Sequence, residues 1–308
     1  MPTCDLCSHD PVTYIRYNGT HLCADHFKKY VQKRVKKEIR RQTDMRSGGT
    51  IAVAVSGGKD SMVTLSLIHD VFGDRPDVDI QCITIDEGIV GYRDESIDLV
   101  KDFCKSIDVK YNQVSFKDSF DVTMDDVAPL SGDSSPCTYC GVFRRKLMND
   151  AARKMNAKYL VTGLNLDDTA QSIMMNFVRG DVERLARLGP HKKVQPGLIP
   201  RIQPLRLIPE KESLLYAIVS GLPYHDGECP YASEALRNQF RATVDDLENR
   251  SPGTRFSIVS SYDTLLPMLS VNLPPADLKK CECGEPTLGK QCKACELSSA
   301  VKKRIKGL

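Results

Sequence analysis

No stretch of this chain approaches the roughly 20 consecutive apolar residues that a helix needs to cross a bilayer, so no membrane contact is expected. The N-terminus lacks the apolar core of a secretory signal. Cys4, Asp5 and Cys7 stand where that core would lie, and the expected compartment is cytoplasmic. Two common nucleotide signatures are also missing. A Walker loop needs a glycine five residues before its Gly-Lys pair and a Ser or Thr after it; Val53 and Asp60 hold those places. The same loop contains no G-x-G-x-x-G fingerprint. Excess charge of one sign is scarce too, with 43 basic side chains against 40 acidic ones and a formal charge of +3.

What is present suffices for an α/β domain with appendages: 308 residues, 41% of them apolar. The centre of organisation is Ile51-Ala52-Val53-Ala54-Val55-Ser56-Gly57-Gly58-Lys59-Asp60-Ser61. An apolar, β-branched run is strand material, and it breaks at Ser-Gly-Gly. Met62, Leu65, Leu67, Ile68 and Val71 then recur at helical spacing, which predicts a helix from about Lys59. Strand, glycine turn and helix start bring backbone N–H groups and the positive end of a helix to one point, which makes an anion site. Glycines there let the backbone approach the anion, and Lys59 adds a mobile positive charge.

Charge is unevenly placed. Lys28, Lys29, Lys33, Arg34, Lys36, Lys37, Arg40, Arg41 and Arg46 crowd one segment, and Lys279, Lys280, Lys290, Lys293, Lys302, Lys303, Arg304 and Lys306 crowd the C-terminus. Basic ends around a near-neutral centre predict a polyanion held at the periphery, weighed against a solvated helix face. Cysteines number 12, high for a chain expected in a reducing compartment. Cys4-x-x-Cys7 with Cys23-x-x-His26 predicts one tetrahedral zinc site, and Cys281-x-Cys283 with Cys292-x-x-Cys295 a second. Four ligands leave no open position, so both should be structural. The tighter C-x-C bite implies strain or a slightly different fold. Cys82 and Cys104 lie in apolar segments and read as core residues.

In chain order, a hairpin is expected around Asn18-Gly19, a basic helix from Phe27 to about Arg41, and a hinge at Ser47-Gly48-Gly49. Strands are expected over 80–85, 109–116 and 158–162, the first ending at Asp86-Glu87-Gly88. Helices are expected over 93–107, 167–177, 210–220, 233–248 and 257–269. Residues 118–135, acidic and containing Pro, Gly and Ser, read as a mobile surface loop. Pro196, Pro200, Pro204 and Pro209 break their region into short extended pieces. The expected division is 1–47 (zinc knuckle and basic helix), 48–275 (catalytic domain) and 276–308 (zinc ribbon). The expected fold is a doubly wound, mostly parallel α/β sheet with ligands beyond the carboxyl ends of its strands.

Ser56-Gly57-Gly58-Lys59-Asp60-Ser61 resembles the S-G-G-x-D-S loop of the PP-loop ATP pyrophosphatases (adenine nucleotide alpha-hydrolase-like), which cleave ATP to AMP and PPi while adenylating a substrate. Pro136-Cys137-Thr138-Tyr139-Cys140-Gly141-Val142-Phe143-Arg144-Arg145 sharpens the likeness. With Glu228-Cys229-Pro230-Tyr231, Thr162-Gly163-Leu164-Asn165-Leu166-Asp167-Asp168 and Met175-Asn176-Phe177-Val178-Arg179-Gly180-Asp181, it resembles the TtcA/TtuA superfamily of tRNA-thiolation enzymes. The nearest likeness is to the archaeal and eukaryotic cytosolic wobble-uridine 2-thiolation group. The resemblance covers nearly the whole chain. One departure is plain: many relatives read Gly-His-Asn where this chain has Gly163-Leu164-Asn165, so any role of that histidine is absent.

Read alone, Cys137, Cys140 and Cys229 fit a redox pair, a zinc site short of one ligand, or a cubane cluster on three thiolates. The resemblance implies the [4Fe–4S] cluster with one open iron able to carry the sulfur. A cluster-free route, with persulfide on Cys140 or Cys229, is the alternative. It also implies ATP and Mg²⁺: phosphates on Ser56, Gly57, Gly58 and Ser61, charge stabilised by Lys59, and Mg²⁺ on Asp60 and Asp168. Adenosine is expected beside Ala54, Val55 and Ile85, with Gly163 permitting close approach and Arg144 contacting phosphate. Sulfur would then displace AMP from C2 of a tRNA uridine. The wobble base is expected, with the T-loop uridine as competitor. The donor would be a ubiquitin-like sulfur carrier or inorganic sulfide, and the assembly a homodimer. Two readings outside the family remain open: an amidotransferase-like adenylating synthetase, which leaves the three cysteines idle, and a non-catalytic zinc-ribbon RNA-binding protein, which leaves the Ser-Gly-Gly loop unexplained.

Overall fold

The computed structural model describes residues 3–132, 135–190, 194–232, 237–274 and 277–307. At the N-terminus β1 (Thr13–Ile15) and β2 (Thr20–Leu22) pair antiparallel, with Gly19 at φ +73° in the expected turn. The long basic helix α1 (Ala24–Gln42) follows. Its inward stripe, Phe27, Val31, Val35 and Ile39, is buried in the same core as the first sheet strand. The expected hinge is a tight crossing: Gly48 takes φ +62°, and a Cβ there would overlap the Asp77 carbonyl.

Strands β3 (Gly49–Ala54), β4 (Val78–Asp86), β5 (Lys110–Ser115), β6 (Tyr159–Val161) and β7 (Arg201–Ile202) form one parallel sheet, in the order β5-β4-β3-β6-β7. Between them run α2 (Lys59–Phe72), α3 (Arg93–Ser106), the short α4 (Phe116–Phe120) and α5 (Met124–Val127), then α6 (Pro136–Lys154), α7 (Leu166–Val178) and α8 (Val182–Ala186). After β7 come α9 (Glu210–Val219), α10 (Arg237–Arg250) and α11 (Thr254–Asn272). The chain ends in β8 (Lys279–Lys280), β9 (Pro286–Thr287) and α12 (Lys293–Ile305). The start of the helix expected from residue 233, and the domain boundary at 275–276, lie outside the described residues.

Period-2 alternation sorts the sheet residues into two layers. Ile51 and Val53 join Ile80, Cys82, Tyr159 and Val161 on the face covered by α1, α2, α3 and α9. Ala52, Ile83, Ile85 and Leu160 face the opposite layer, where α6 contributes Phe143 and Leu147 and α12 contributes Leu297 and Val301. Both faces are buried, which is why β3 reads as a continuous apolar run. The first sheet strand, β3, lies in the middle, and the chain leaves it toward β4 on one side and β6 on the other. A crevice opens at the carboxyl ends where the winding reverses. The Ser-Gly-Gly turn leaves β3 at that point.

Residues 118–132 differ from the loop expected over 118–135, of which 133 and 134 lie outside the described residues. Phe116, Phe120, Val122, Met124 and Val127 are buried, and α4 and α5 form around them. Thr123 and Asp126 close a capping box on α5. The acidic residues are first-turn and capping residues of short helices, and acidity without attention to the interleaved apolar positions misread them. Helix α6 also escaped the sequence reading, although Ser135 caps it and Pro136 occupies its first turn. Among the described residues no helix is long and apolar enough to cross a membrane.

Candidate active site

Gly57 takes φ +90°, and a Cβ there would sit 2.8 Å from the Ser96 carbonyl oxygen, so only glycine fits. Gly58, the N-cap of α2, supplies no side chain to the first-turn amides. The Ser61 amide turns back to the Gly58 carbonyl at 3.1 Å, whereas the Lys59 and Asp60 amides have no carbonyl behind them within the helix and face the anion position. The turn is held from inside: Ser61 Oγ accepts from the Ser56 amide at 3.1 Å and donates to the Gly58 carbonyl at 2.8 Å. Val55 has both backbone groups engaged, its N–H with Ile83 and its carbonyl with Thr84 Oγ1. Of the expected adenosine neighbours, Ala54 closes β3, Val55 is buried at the start of the turn, and the Ile85 carbonyl accepts from Arg93.

Lys59 is not a free mobile charge. Its ammonium lies 3.1 Å from Asp60 Oδ2 and 2.9 Å from Glu210 Oε1. Burial works against its charge, but the two carboxylates outweigh it and leave the pKa above the ordinary lysine value. Glu210 begins α9, its amide donating to Asp167 Oδ2. Arg241 reaches Glu210 at 3.3 Å, and Arg237 reaches Asp168 Oδ1 at 3.1 Å. Asp168 also closes the capping box of α7 with Asn165. Burial raises its pKa, Arg237 opposes that, and nearby Asp60 and Glu210 add to the rise. Asp60 Oδ1 is buried without a hydrogen-bond partner. An unsatisfied carboxylate oxygen among further acids beside a phosphate loop fits a hard divalent cation. Gly163 serves this assembly directly: a Cβ there would come within 2.9 Å of the Asp60 carbonyl oxygen, so glycine lets the end of β6 close on α2.

The cysteines occupy the same end of the sheet. Cys137 and Cys140 sit in the first turn of α6, which starts beyond the strand ends because it leads back into β6. Cys137 Sγ lies 3.5 Å from the Tyr231 carbonyl, two residues after Cys229, and the Tyr231 hydroxyl donates to Asp125 on α5 at 2.8 Å. The segment carrying Cys229 is tied to the phosphate loop, since the His225 amide donates to the Gly57 carbonyl at 2.9 Å. Burial pushes the Cys140 thiol up to about 11, against the pull of Arg144, and burial also raises Cys229. A single zinc holding three sulfurs at about 2.3 Å would need them about 4 Å apart. Among the described residues only the two terminal clusters gather three or more metal-ligating atoms within 4.8 Å. Cys137, Cys140 and Cys229 do not all lie within that distance of one another, which is too open for one zinc without movement.

Arg144, expected to contact phosphate, faces Glu87 Oε1 at 3.6 Å and the Cys140 and Cys229 thiols. Glu87 in turn pairs with Arg93 at 2.7 Å, and Arg93 donates to the carbonyls of Ser56 at 2.9 Å and Ile85 at 2.7 Å. A cross-brace of alternating charge, buried at Arg93 and Glu87 and half-exposed at Arg144, thus runs from the phosphate turn to the cysteines. Glu87, Arg93, Glu210, Arg237 and Arg241 had no assigned role in the sequence reading. Only Glu87, at a strand's carboxyl end, carried a usable signal.

At the N-terminus Cys4, Cys7, Cys23 and His26 bring one ligand atom each within 4.8 Å of one another, as do Cys281, Cys283, Cys292 and Cys295. Burial opposes ionisation of Cys4, but the Cys23 and Leu6 amides and neighbouring thiols bring it down to about 6. The Cys292 and Cys283 amides bring Cys281 to about 7. Cys7, Cys292 and Cys295 are raised in turn, so one thiol of each cluster ionises ahead of its neighbours and offers the first thiolate to a metal. The short C-x-C bite closes as a turn, with Gly284 at φ +86° donating to the Cys281 carbonyl at 2.8 Å.

A PP-loop domain model matches residues 27–247, and the model of the 2-thiouridine synthetase TtuA N-terminal LIM domain matches residues 3–28. The chain is 39% identical to the tRNA 2-thiolation protein NcsA of Haloferax volcanii, covering 97% of this chain and 98% of that one. It is 32% identical to the tRNA-5-methyluridine(54) 2-sulfurtransferase of Pyrococcus horikoshii, covering 95% and 92%. The structure of the U34-tRNA thiolase NcsA from Methanococcus maripaludis with its [4Fe-4S] cluster superposes with a TM-score of 0.84 at 32% identity, covering 97% and 96%.

Proposed function

The chain belongs to the PP-loop family of tRNA 2-thiolation proteins, and from that premise we propose that it adenylates the C2 oxygen of a tRNA uridine, at the wobble position, and replaces that oxygen with sulfur. It is a tRNA sulfurtransferase. The observation that carries the mechanism is the junction of two half-sites: the open N-terminus of α2 and the Cys137, Cys140 and Cys229 loops, joined by the His225–Gly57 hydrogen bond.

A carbonyl oxygen leaves poorly, and AMP leaves well. The first-turn amides of α2 and Ser61 bind the phosphates, and Lys59 takes up charge as pyrophosphate separates. Asp60 and Asp168 would hold Mg²⁺, which supplies charge neutralisation at the phosphates. A [4Fe–4S] cluster on Cys137, Cys140 and Cys229 would supply an iron without a protein ligand, able to hold the sulfur. Arg144, fixed by Glu87, balances the negative charge of those thiolates. Zn²⁺ fits the two terminal clusters as a structural ion, and lysines on α1 and α12 would meet the tRNA backbone. Twelve unpaired cysteines suit a reducing cytoplasm. A homodimer, and sulfur supplied by a ubiquitin-like carrier or as inorganic sulfide, complete the reading on the strength of family membership.

The test is mass spectrometry of tRNA nucleosides, mapped to position, after anaerobic reaction with ATP and sulfide. The expected product is 2-thiouridine at the wobble position, AMP formed in equal amount, and no product from Cys137→Ala although it binds ATP. Product at the T-loop uridine instead would overturn the choice of position. Normal thiolation by Cys137→Ala would overturn the role of the three cysteines.

A further inference from the structure

Helix α10 carries Arg237 and Arg241 one turn apart, on the face that meets the nucleotide end of the sheet. Their partners are Asp168 and Glu210, the carboxylates that surround Lys59 and Asp60. Both guanidinium groups are nearly half exposed, 43% and 49%, so these pairs add little to stability and exchange readily. Val244 is the only fully buried residue of α10. Beside that apolar anchor, Arg255 of α11 holds the C-terminal half of α10 through Asp245 and Glu248, which leaves Arg237 and Arg241 free to exchange partners without moving the helix.

Three cations (Lys59, Arg237, Arg241) thus stand interleaved with three carboxylates (Asp60, Asp168, Glu210) around an open helix N-terminus. We propose that Arg237 and Arg241 are phosphate ligands, held on Asp168 and Glu210 until Mg²⁺-ATP enters and then transferred to its β- and γ-phosphates. A divalent cation on Asp60 and Asp168 removes Arg237's partner, and the phosphate oxygens replace it, so every charge keeps an opposite neighbour. Arginine suits the exchange because its planar fork pairs with carboxylate and phosphate alike. The proposal rests on the nucleotide site of the function proposed above.

Isothermal titration of the full-length protein separates the possibilities, with Mg²⁺-ATP, Mg²⁺-pyrophosphate, AMP and unmodified tRNA as probes, on the wild type, Arg237→Met, Arg241→Met and the corresponding Lys variants. Each Met variant should bind Mg²⁺-ATP and Mg²⁺-pyrophosphate at least about tenfold more weakly, the loss of a charge-assisted contact, while AMP affinity stays within about twofold. The Lys variants should recover part of the loss. Unchanged Mg²⁺-ATP affinity in both Met variants overturns the proposal, as does an equal loss for ATP and AMP, which marks a structural defect. Loss of tRNA affinity alone overturns it in favour of an RNA contact. A wild type that binds no ATP overturns the nucleotide site itself and, with it, this assignment.

Discussion

Cys140 shows how surroundings set a side chain's chemistry. Burial favours its neutral thiol, Arg144 favours the thiolate, and burial prevails at about 11. The sign follows directly: below that pH the thiol keeps its proton, and the reactive thiolate gains about tenfold per pH unit on approach to it. In metal-free protein, alkylation of Cys140 by iodoacetamide, followed by mass spectrometry, should rise through pH 8 to 10 without levelling. A midpoint near pH 8.5, with levelling above about pH 9.5, would show an ordinary exposed thiol. Lys59 and Gly163 carry a related lesson. The first has partners, Asp60 and Glu210, that lie far apart in the chain, and the second is glycine because of α2 backbone that no local motif reveals.

Among the elements, α6 does the most to bring the half-sites together. Its first turn presents Cys137 and Cys140, its middle buries Phe143 against Phe116 and Phe120, and its last turns bind the C-terminal ribbon. Asn149 and Arg153 both reach Glu285, at 3.1 Å each, and Arg153 donates to the Gly284 carbonyl at 2.9 Å. The cysteine helix is thereby clamped from both sides. Phe143→Ala should cost about 3–5 kcal/mol in urea unfolding, because its ring stacks on Phe120 and meets Phe116 edge-on, and its loss leaves a cavity that cannot collapse fully. A loss below about 1 kcal/mol would mean that α4 and α5 rearrange to fill it. The same packing explains the misread loop: α4 and α5 exist because Phe116 and Phe120 have Phe143 to pack on, a partner supplied from farther along the chain.

Across the whole molecule the basic segment divides in two. Arg34 is drawn inward, stacked on Tyr17, Tyr30 and Phe256 and paired with Glu212 at 3.4 Å, and Arg41 reaches Glu38 and Asp263. Lys29, Lys33, Lys36, Lys37 and Arg40 remain outside and line a groove of about 500 Å³ along α1. On α1 the expected polyanion surface therefore narrows to that row. Lys33→Ala with Lys37→Ala should lower the slope of log K against log salt for tRNA by about 1.4–1.8, with the fold intact. An unchanged slope would return the row to the status of a solvated helix face.

Local pattern alone determined a great deal about this protein. Strand β3, its Ser-Gly-Gly turn and α2 were legible because apolar periodicity, glycine and helix start act over a dozen neighbouring residues. The two terminal cysteine clusters were legible because chelation by paired ligands demands short spacings. Tertiary structure decided what depends on the order of strands in the sheet. The order β5-β4-β3-β6-β7 sets α6, α9 and α10 around the end of β3. It thereby gives Lys59 its Glu210, Asp168 its Arg237 and Cys137 its neighbour at Tyr231. Those pairings join residues from 69 to 151 positions apart. Charge and hydrogen-bond partners at such separations leave no periodic trace in a sequence, because only the closed chain brings them within a few ångströms.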